Sequence, residues 1–112
     1  MKIIFTTKGK TWDSEMDSRF GRTEFLVVYD EEKDELTAID NSAASQDAHG
    51  AGPKTSAKIG ELGADVLITG NGPGGNAEKA LRSLNIQIFV GAGNMTVKQA
   101  FEAYKKQELR KF

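Results

Sequence analysis

Asp65-Val66-Leu67-Ile68-Thr69 runs directly into Gly70-Asn71-Gly72-Pro73-Gly74-Gly75, and behind Asn76 the residues Ala77, Ala80, Leu81 and Leu84 recur at helical spacing. The first five residues are an apolar run too short for a helix and bounded by turn formers, which predicts a buried strand. Four of the next six residues are glycine, so they form a loop. The periodic residues beyond predict an amphipathic helix with Asn76 as its N-cap. Ile86 to Val90 is a second apolar strand, followed by Gly91-Ala92-Gly93-Asn94. Strand, glycine loop, helix and strand make a β-α-β unit, whose two strands run parallel with a right-handed crossover.

The pattern extends outward from this unit. On its N-terminal side a helix runs from Pro53 to about Leu62. Pro53 suits the first turn and Gly63 a left-handed end. Leu36, Ala38 and Ile39 mark a third strand, paired as a hairpin with Phe25 to Tyr29 across the charged turn Asp30 to Asp34. Lys2 to Thr6, with Ile3, Ile4 and Phe5 in a row, is the first strand. On the C-terminal side Thr96 and Gln99 form a capping-box pattern. Val97, Ala100, Phe101 and Tyr104 make the buried stripe of that last helix. The basic stretch Lys105 to Lys111 reads as its solvated end, with cations near the negative pole of the dipole. Segments 7–23 and 41–52 read as loops. The order is therefore β β β α β α β α.

This order has a consequence for chemistry. With strand two antiparallel, strands one, three, four and five all point the same way. The segments leaving them (7–23, 41–52, 70–75 and 91–95) then meet at one edge of the sheet. Ten of the 12 glycines fall in those segments. Open α/β sheets bind ligands outside the carboxyl ends of their strands. Helices starting near Pro53 and Asn76 would aim unsatisfied N–H groups at that edge. A small anionic ligand is the expectation. The residues proposed to meet it are Thr7, Arg22, Asn41, His49, Gly50, Gly70, Asn71, Gly72, Gly74 and Gly75, with His49 the candidate metal ligand.

Composition narrows the function. A length of 112 residues fits one domain over 1–112. No apolar run approaches the roughly 18 residues of a membrane span. The N-terminus is too short for a secretory apolar region, so a cytoplasmic location is expected. Fifteen basic residues against 16 acidic ones leave no concentrated basic footprint for nucleic acid. The absence of cysteine removes disulfides, CxxC redox chemistry and thiolate-held clusters.

Individual motifs narrow it further. Gly70 to Gly75 matches G-x-G-x-x-G, yet Val90, Gly91 and Ala92 stand where a dinucleotide site needs an acidic residue, and Pro73 removes one amide. No Lys-Ser/Thr pair follows the glycines, which excludes a P-loop. His49, the only histidine, is either a ligand to metal or cofactor, a general base, or a solvent-exposed loop residue. Arg22 either offers a forked donor to an oxyanion or pairs with Asp17 or Glu24. Asp13, Glu15 and Asp17 lack the glycine and later glutamate of a calcium loop and read as a solvated run. Trp12 is a lid or a satellite core residue. No serine has a nucleophile-elbow context, and nothing names an enzyme.

Together these residues resemble a known family, the dinitrogenase iron–molybdenum cofactor biosynthesis domain of NifX-like proteins. The resemblance spans nearly the whole chain. It rests on Phe20-Gly21-Arg22 leading into Phe25 to Asp30, and on Asn41 at the end of the third strand. It continues through His49-Gly50-Ala51-Gly52, Gly63-Ala64-Asp65-Val66-Leu67-Ile68, Gly70-Asn71-Gly72-Pro73-Gly74 and Leu84-Asn85-Ile86. It implies a three-layer α/β/α, ribonuclease H-like fold with five mixed strands in the order 3-2-1-4-5. It also implies a non-enzymatic carrier of an iron–molybdenum or iron–sulfur cluster, passed to or from a cluster-assembly protein. The ligand would sit near the starts of segments 7–23 and 70–75, with His49 close by. An interaction or regulatory module of the same fold, without a metal cofactor, is the alternative. Strand one, Lys2 to Thr6, carries no carboxylate, so the two-metal chemistry of ribonuclease H-like nucleases is not expected.

Overall fold

The unbroken burial of β1 (Lys2–Thr7) from Ile3 onward places it at the centre of the sheet. Ile4 packs on one face with Leu26, Leu67 and Ile88, while Ile3 and Phe5 pack on the other with Val27, Val66 and Ile68. A strand apolar on both faces needs cover on both, which gives three layers. The computed structural model describes residues 1–46 and 50–112. Its elements continue as β2 (Phe25–Asp30), β3 (Glu35–Asp40), α1 (Ser42–Ser45), α2 (Ala51–Glu61), β4 (Val66–Ile68), α3 (Gly75–Ser83), β5 (Gln87–Val90), α4 (Val97–Lys105) and β6 (Arg110–Lys111). Helices α2 and α3 contribute Ile59, Ala77 and Leu81 to the first core. Helix α4 contributes Val97 and Ala100 to the second.

The sheet order is β3-β2-β1-β4-β5-β6. Strand β1 pairs antiparallel with β2 and parallel with β4, and Ile4 faces Val28 on one side and Leu67 on the other. Strand β2 is antiparallel to β3, and β4 is parallel to β5. Strands β1, β3, β4 and β5 therefore share one direction, and the segments leaving them emerge at one edge.

The expected count of five strands is corrected to six. Helix α4 stops at Lys105, and Gln107 adopts a left-handed φ of 60°. Gln107 N donates to Tyr104 O and Glu108 N to Ala103 O, at 3.0 and 2.9 Å. This is a Schellman stop with glutamine where glycine is usual, so the sequence carries no visible signal for it. The chain then turns back, and Arg110 and Lys111 pair antiparallel with Val90 and Phe89. Two exposed basic residues give no apolar alternation to read; backbone pairing alone makes them a strand.

Two helix starts also differ from expectation. Segment 41–52 contains α1 and the first residues of α2, and α3 is capped by Gly74 rather than Asn76. The last extended residue is the cap, and Gly74 holds φ −68° and ψ 169°. At α4 the expected capping box forms: Thr96 Oγ1 accepts from Gln99 N, and Gln99 Oε1 accepts from Thr96 N.

Candidate functional site

Glycines bring the strand exits into contact. A Cβ on Gly21 would lie 2.8 Å from the Gly52 nitrogen and 3.1 Å from the Ala51 carbonyl carbon. The loop Phe20-Gly21-Arg22 thus lies directly on the first turn of α2. Phe20 anchors it in the core. A Cβ on Gly52 would in turn meet that of Ala77 at 3.6 Å, and Ser56 donates to the Ala77 carbonyl. The first turns of α2 and α3 therefore stand side by side.

Those two turns are not closed by side chains. Helix α4 carries a full capping box, whereas α2 and α3 start at Gly50 and Gly74, N-cap residues that supply no side-chain hydrogen bond. The first amide of α3 to find a main-chain partner is that of Glu78, which donates to Gly74 O at 2.8 Å. The amides of Gly75, Asn76 and Ala77 precede it. In α2 the corresponding bond is Lys54 N to Gly50 O, with Pro53 contributing no N–H. The two positive dipole ends lie next to each other, and at α3 the first three amides have no partner among the described residues, an arrangement that favours an anion.

The crevice between β1 and β4 is closed instead. Asp17 N donates to Thr6 O, and the Thr6 hydroxyl contacts Asp17 O and the Thr69 hydroxyl. Ser18 lies on Gly70 and Gly93; a Cβ on Gly70 would sit 2.6 Å from the Ser18 Cα. Residues 16–18 occupy the place, near the starts of segments 7–23 and 70–75, where the ligand was expected. The open donors lie to one side of it, at the start of α3 beside α2.

The candidate residues divide accordingly. Thr7 is buried, and its hydroxyl bonds Gly9 O. Gly70 is buried under Ser18. Asn71 spends its amide on Ser18 O at 2.8 Å. Asn41 is buried, and its Nδ2 bonds Thr23 O and Thr55 Oγ1, while the Thr55 hydroxyl reaches Gly21 O. That chain bolts β3 to α2 and to the Gly21 loop. The remaining atom, Oδ1, is buried without a partner among the described residues, and as an acceptor it does not attract an anion. Gly50, Gly72, Gly74 and Gly75 lie at the open edge, with Gly74 and Gly75 exposed. Arg22 is exposed, and its Nη1 donates to Ser45 O at 2.7 Å across the end of α1. The expectation for His49 lies outside the described residues. The residues that sequence reasoning missed are Gly21 and Gly52, whose role is contact, and Asn76 and Ala77, which act through backbone rather than side chain.

Other expectations about this edge change. The ion-pair partner of Asp17 is Arg19, not Arg22. The buried Asp17 carboxylate receives Arg19 N, Nε and Nη2 at 3.0 to 3.1 Å. That hydrogen bonding, with the charge of Asp17, holds the Arg19 guanidinium still more firmly protonated. Glu15 is 3.8 Å from Lys8. Trp12 packs edge-on to Phe5 and Tyr29 at 6.4 and 5.1 Å, as a satellite of the α4-side core.

The donor set decides what kind of metal cargo could fit. The sequence has no cysteine, and no group of three His, Cys, Asp or Glu side chains that could hold a metal ion occurs among the described residues. Among the described residues the edge offers backbone N–H groups and a guanidinium. Such donors suit an anion whose metals already carry their own ligands.

A family model described as dinitrogenase iron-molybdenum cofactor matches residues 1–107. The chain belongs to the dinitrogenase iron-molybdenum cofactor family. Solved structures agree with that membership. The apo form of the orange protein from Desulfovibrio gigas is 31% identical, with 99% of this chain and 92% of that one covered at a TM-score of 0.93. A Thermotoga protein solved by NMR, provisionally labelled NifB and placed in the DUF35 family, is 30% identical, with 98% and 91% covered at a TM-score of 0.83. No curated protein matches this family member. Among its described residues, no helix is long and apolar enough to cross a membrane.

Proposed function

We propose that this member of the dinitrogenase iron-molybdenum cofactor family is a non-enzymatic carrier of a small anionic metal cluster of the iron–molybdenum or iron–sulfur type. The observation that carries the reading is the pair of adjacent helix N-termini at α2 and α3, both with glycine N-caps that supply no side-chain bond, on the edge where the strand exits converge. The cluster is cargo and brings its own sulfide ligands. The protein contributes hydrogen bonds from the first-turn amides of α3 and α2, the two dipole ends, and Arg22 on the loop that lies against Gly52. Each of these strengthens on a negative charge and leaves the metal shell intact. Loose, uncoordinated holding suits a protein that must pass its cargo on. Family membership and the likeness to the orange protein support the reading.

Titration of the protein with tetrathiomolybdate, a simple anionic molybdenum sulfide, and with an iron–sulfur cluster donor tests it. Saturable binding that weakens with salt and with Arg22→Ala is expected. Absence of binding by both probes, or binding that neither salt nor the substitution changes, overturns the reading.

A further inference from the structure

The glycine loop ahead of α3 is held from outside the loop. A Cβ on Gly72 would collide with the ring of Phe112, which occupies that space. Phe112 is itself tied at three points. Its N–H donates to Ile88 O at 2.8 Å, prolonging the β5–β6 ladder. Its main-chain oxygen accepts from Arg82 Nη2 at 2.6 Å. Its ring lies 6.0 Å from the Arg82 guanidinium, and that guanidinium is fixed to Glu78 by a 2.7 Å bond within α3. One aromatic residue therefore links β5, α3 and the loop that presents the α3 amides. It remains 36% exposed, so it is not a core residue whose burial explains its position.

We propose that Phe112 is a positioning residue for the anion site: docked on Gly72, it orders residues 72–77 so that the α3 amides are already aligned when the anion arrives. The inference rests on the carrier reading for its ligand, though not for its mechanics. A loop ordered in advance loses less freedom on binding, and that saving appears as affinity. Arg82 acts on the anion only through Phe112, because its guanidinium is engaged at Glu78 and at the Phe112 main chain. The glycine at 72 is required by the ring, not by its backbone angles.

Two substitutions unseat the ring by opposite routes. Phe112→Ala removes it, and Gly72→Ala expels it by occupying its seat. The ring is half-exposed and can swing into solvent, so the fold survives both. Phe112→Leu keeps an apolar filler. Hydrogen exchange should rise at the amides of Asn71 and Glu78, which flank the loop and are hydrogen-bonded to Ser18 O and Gly74 O, in both alanine variants and stay unchanged in β1. Tetrathiomolybdate binding should weaken about tenfold in both and recover most of that loss in Phe112→Leu. Unchanged exchange at Asn71 and Glu78 in the two alanine variants overturns the proposal, as does binding equal to wild type. A wild-type protein that binds no probe overturns the carrier reading alone, and the exchange result then decides the role of Phe112 by itself.

Discussion

Replacing Gly74 by aspartate should stabilise the protein and weaken its anion binding together. Gly74 is the N-cap of α3, in an extended conformation that any residue adopts, and a Cβ there meets no atom within 4 Å. An aspartate carboxylate at that point reaches the amides of Asn76 and Ala77, the usual partners of a capping side chain. Relative to glycine the cap adds a few tenths of a kcal/mol. The carboxylate at the positive dipole end adds about 0.3–1 kcal/mol. Loss of glycine's freedom in the unfolded chain adds about 0.4–1 kcal/mol. The sum is roughly 1–2 kcal/mol, or about 4–8 °C in Tm for a chain of this size. The same carboxylate occupies the anion's seat and repels it, so tetrathiomolybdate binding should fall about tenfold or more. Gly74→Asn separates the two effects, since it caps without the charge and should bind better than the aspartate. Thermal unfolding and equilibrium dialysis read both quantities. A destabilised Gly74→Asp protein would show that the α3 amides are not open. A stabilised one with undiminished binding would show that they do not hold the anion.

Other expectations test the frame around that edge. Gly21→Ala drives a Cβ into the backbone of Gly52, where no side chain can give way; it should cost about 1–3 kcal/mol in urea unfolding at unchanged slope and weaken anion binding as α2 moves. Thr96→Ala breaks the capping box of α4 and should cost about 1 kcal/mol while leaving anion binding intact, which separates stability from function. The Tyr29 hydroxyl donates to Asp34 at 2.7 Å, and that bond raises the Tyr29 pKa above the ordinary 10.0. Its stabilisation is therefore complete below the unfolded tyrosine pKa and lost as pH rises through the folded one. Asp34→Gly, which suits the left-handed φ of 51°, should move tyrosinate absorbance of Tyr29 to lower pH; an unmoved titration refutes the assignment.

Local chemistry accounts for what could be read from the chain alone. Ile3-Ile4-Phe5, Phe25 to Tyr29 and Val66-Leu67-Ile68 are apolar in runs that only a strand buried on both faces requires. Gly63 and the Thr96–Gln99 pair mark helix ends by rules that depend on neighbours in sequence. From these follow the β-α-β units, the common direction of four strands and the edge that gathers the glycines. What tertiary structure alone decided depends on residues far apart in sequence. Arg110 and Lys111 become a strand because β5 offers an unpaired edge, not because of their side chains. Asn41, Thr7 and Gly70 look like ligand contacts in sequence, yet packing turns their polar groups inward. Ser18 fills the crevice between β1 and β4, the contact of Gly21 with Gly52 covers the first turn of α2, and the open donors are left at the start of α3 beside it. The edge was legible because strand direction follows from connectivity; the place on it was not, because which backbone amide stays unspent is settled only when distant segments compete for the same space.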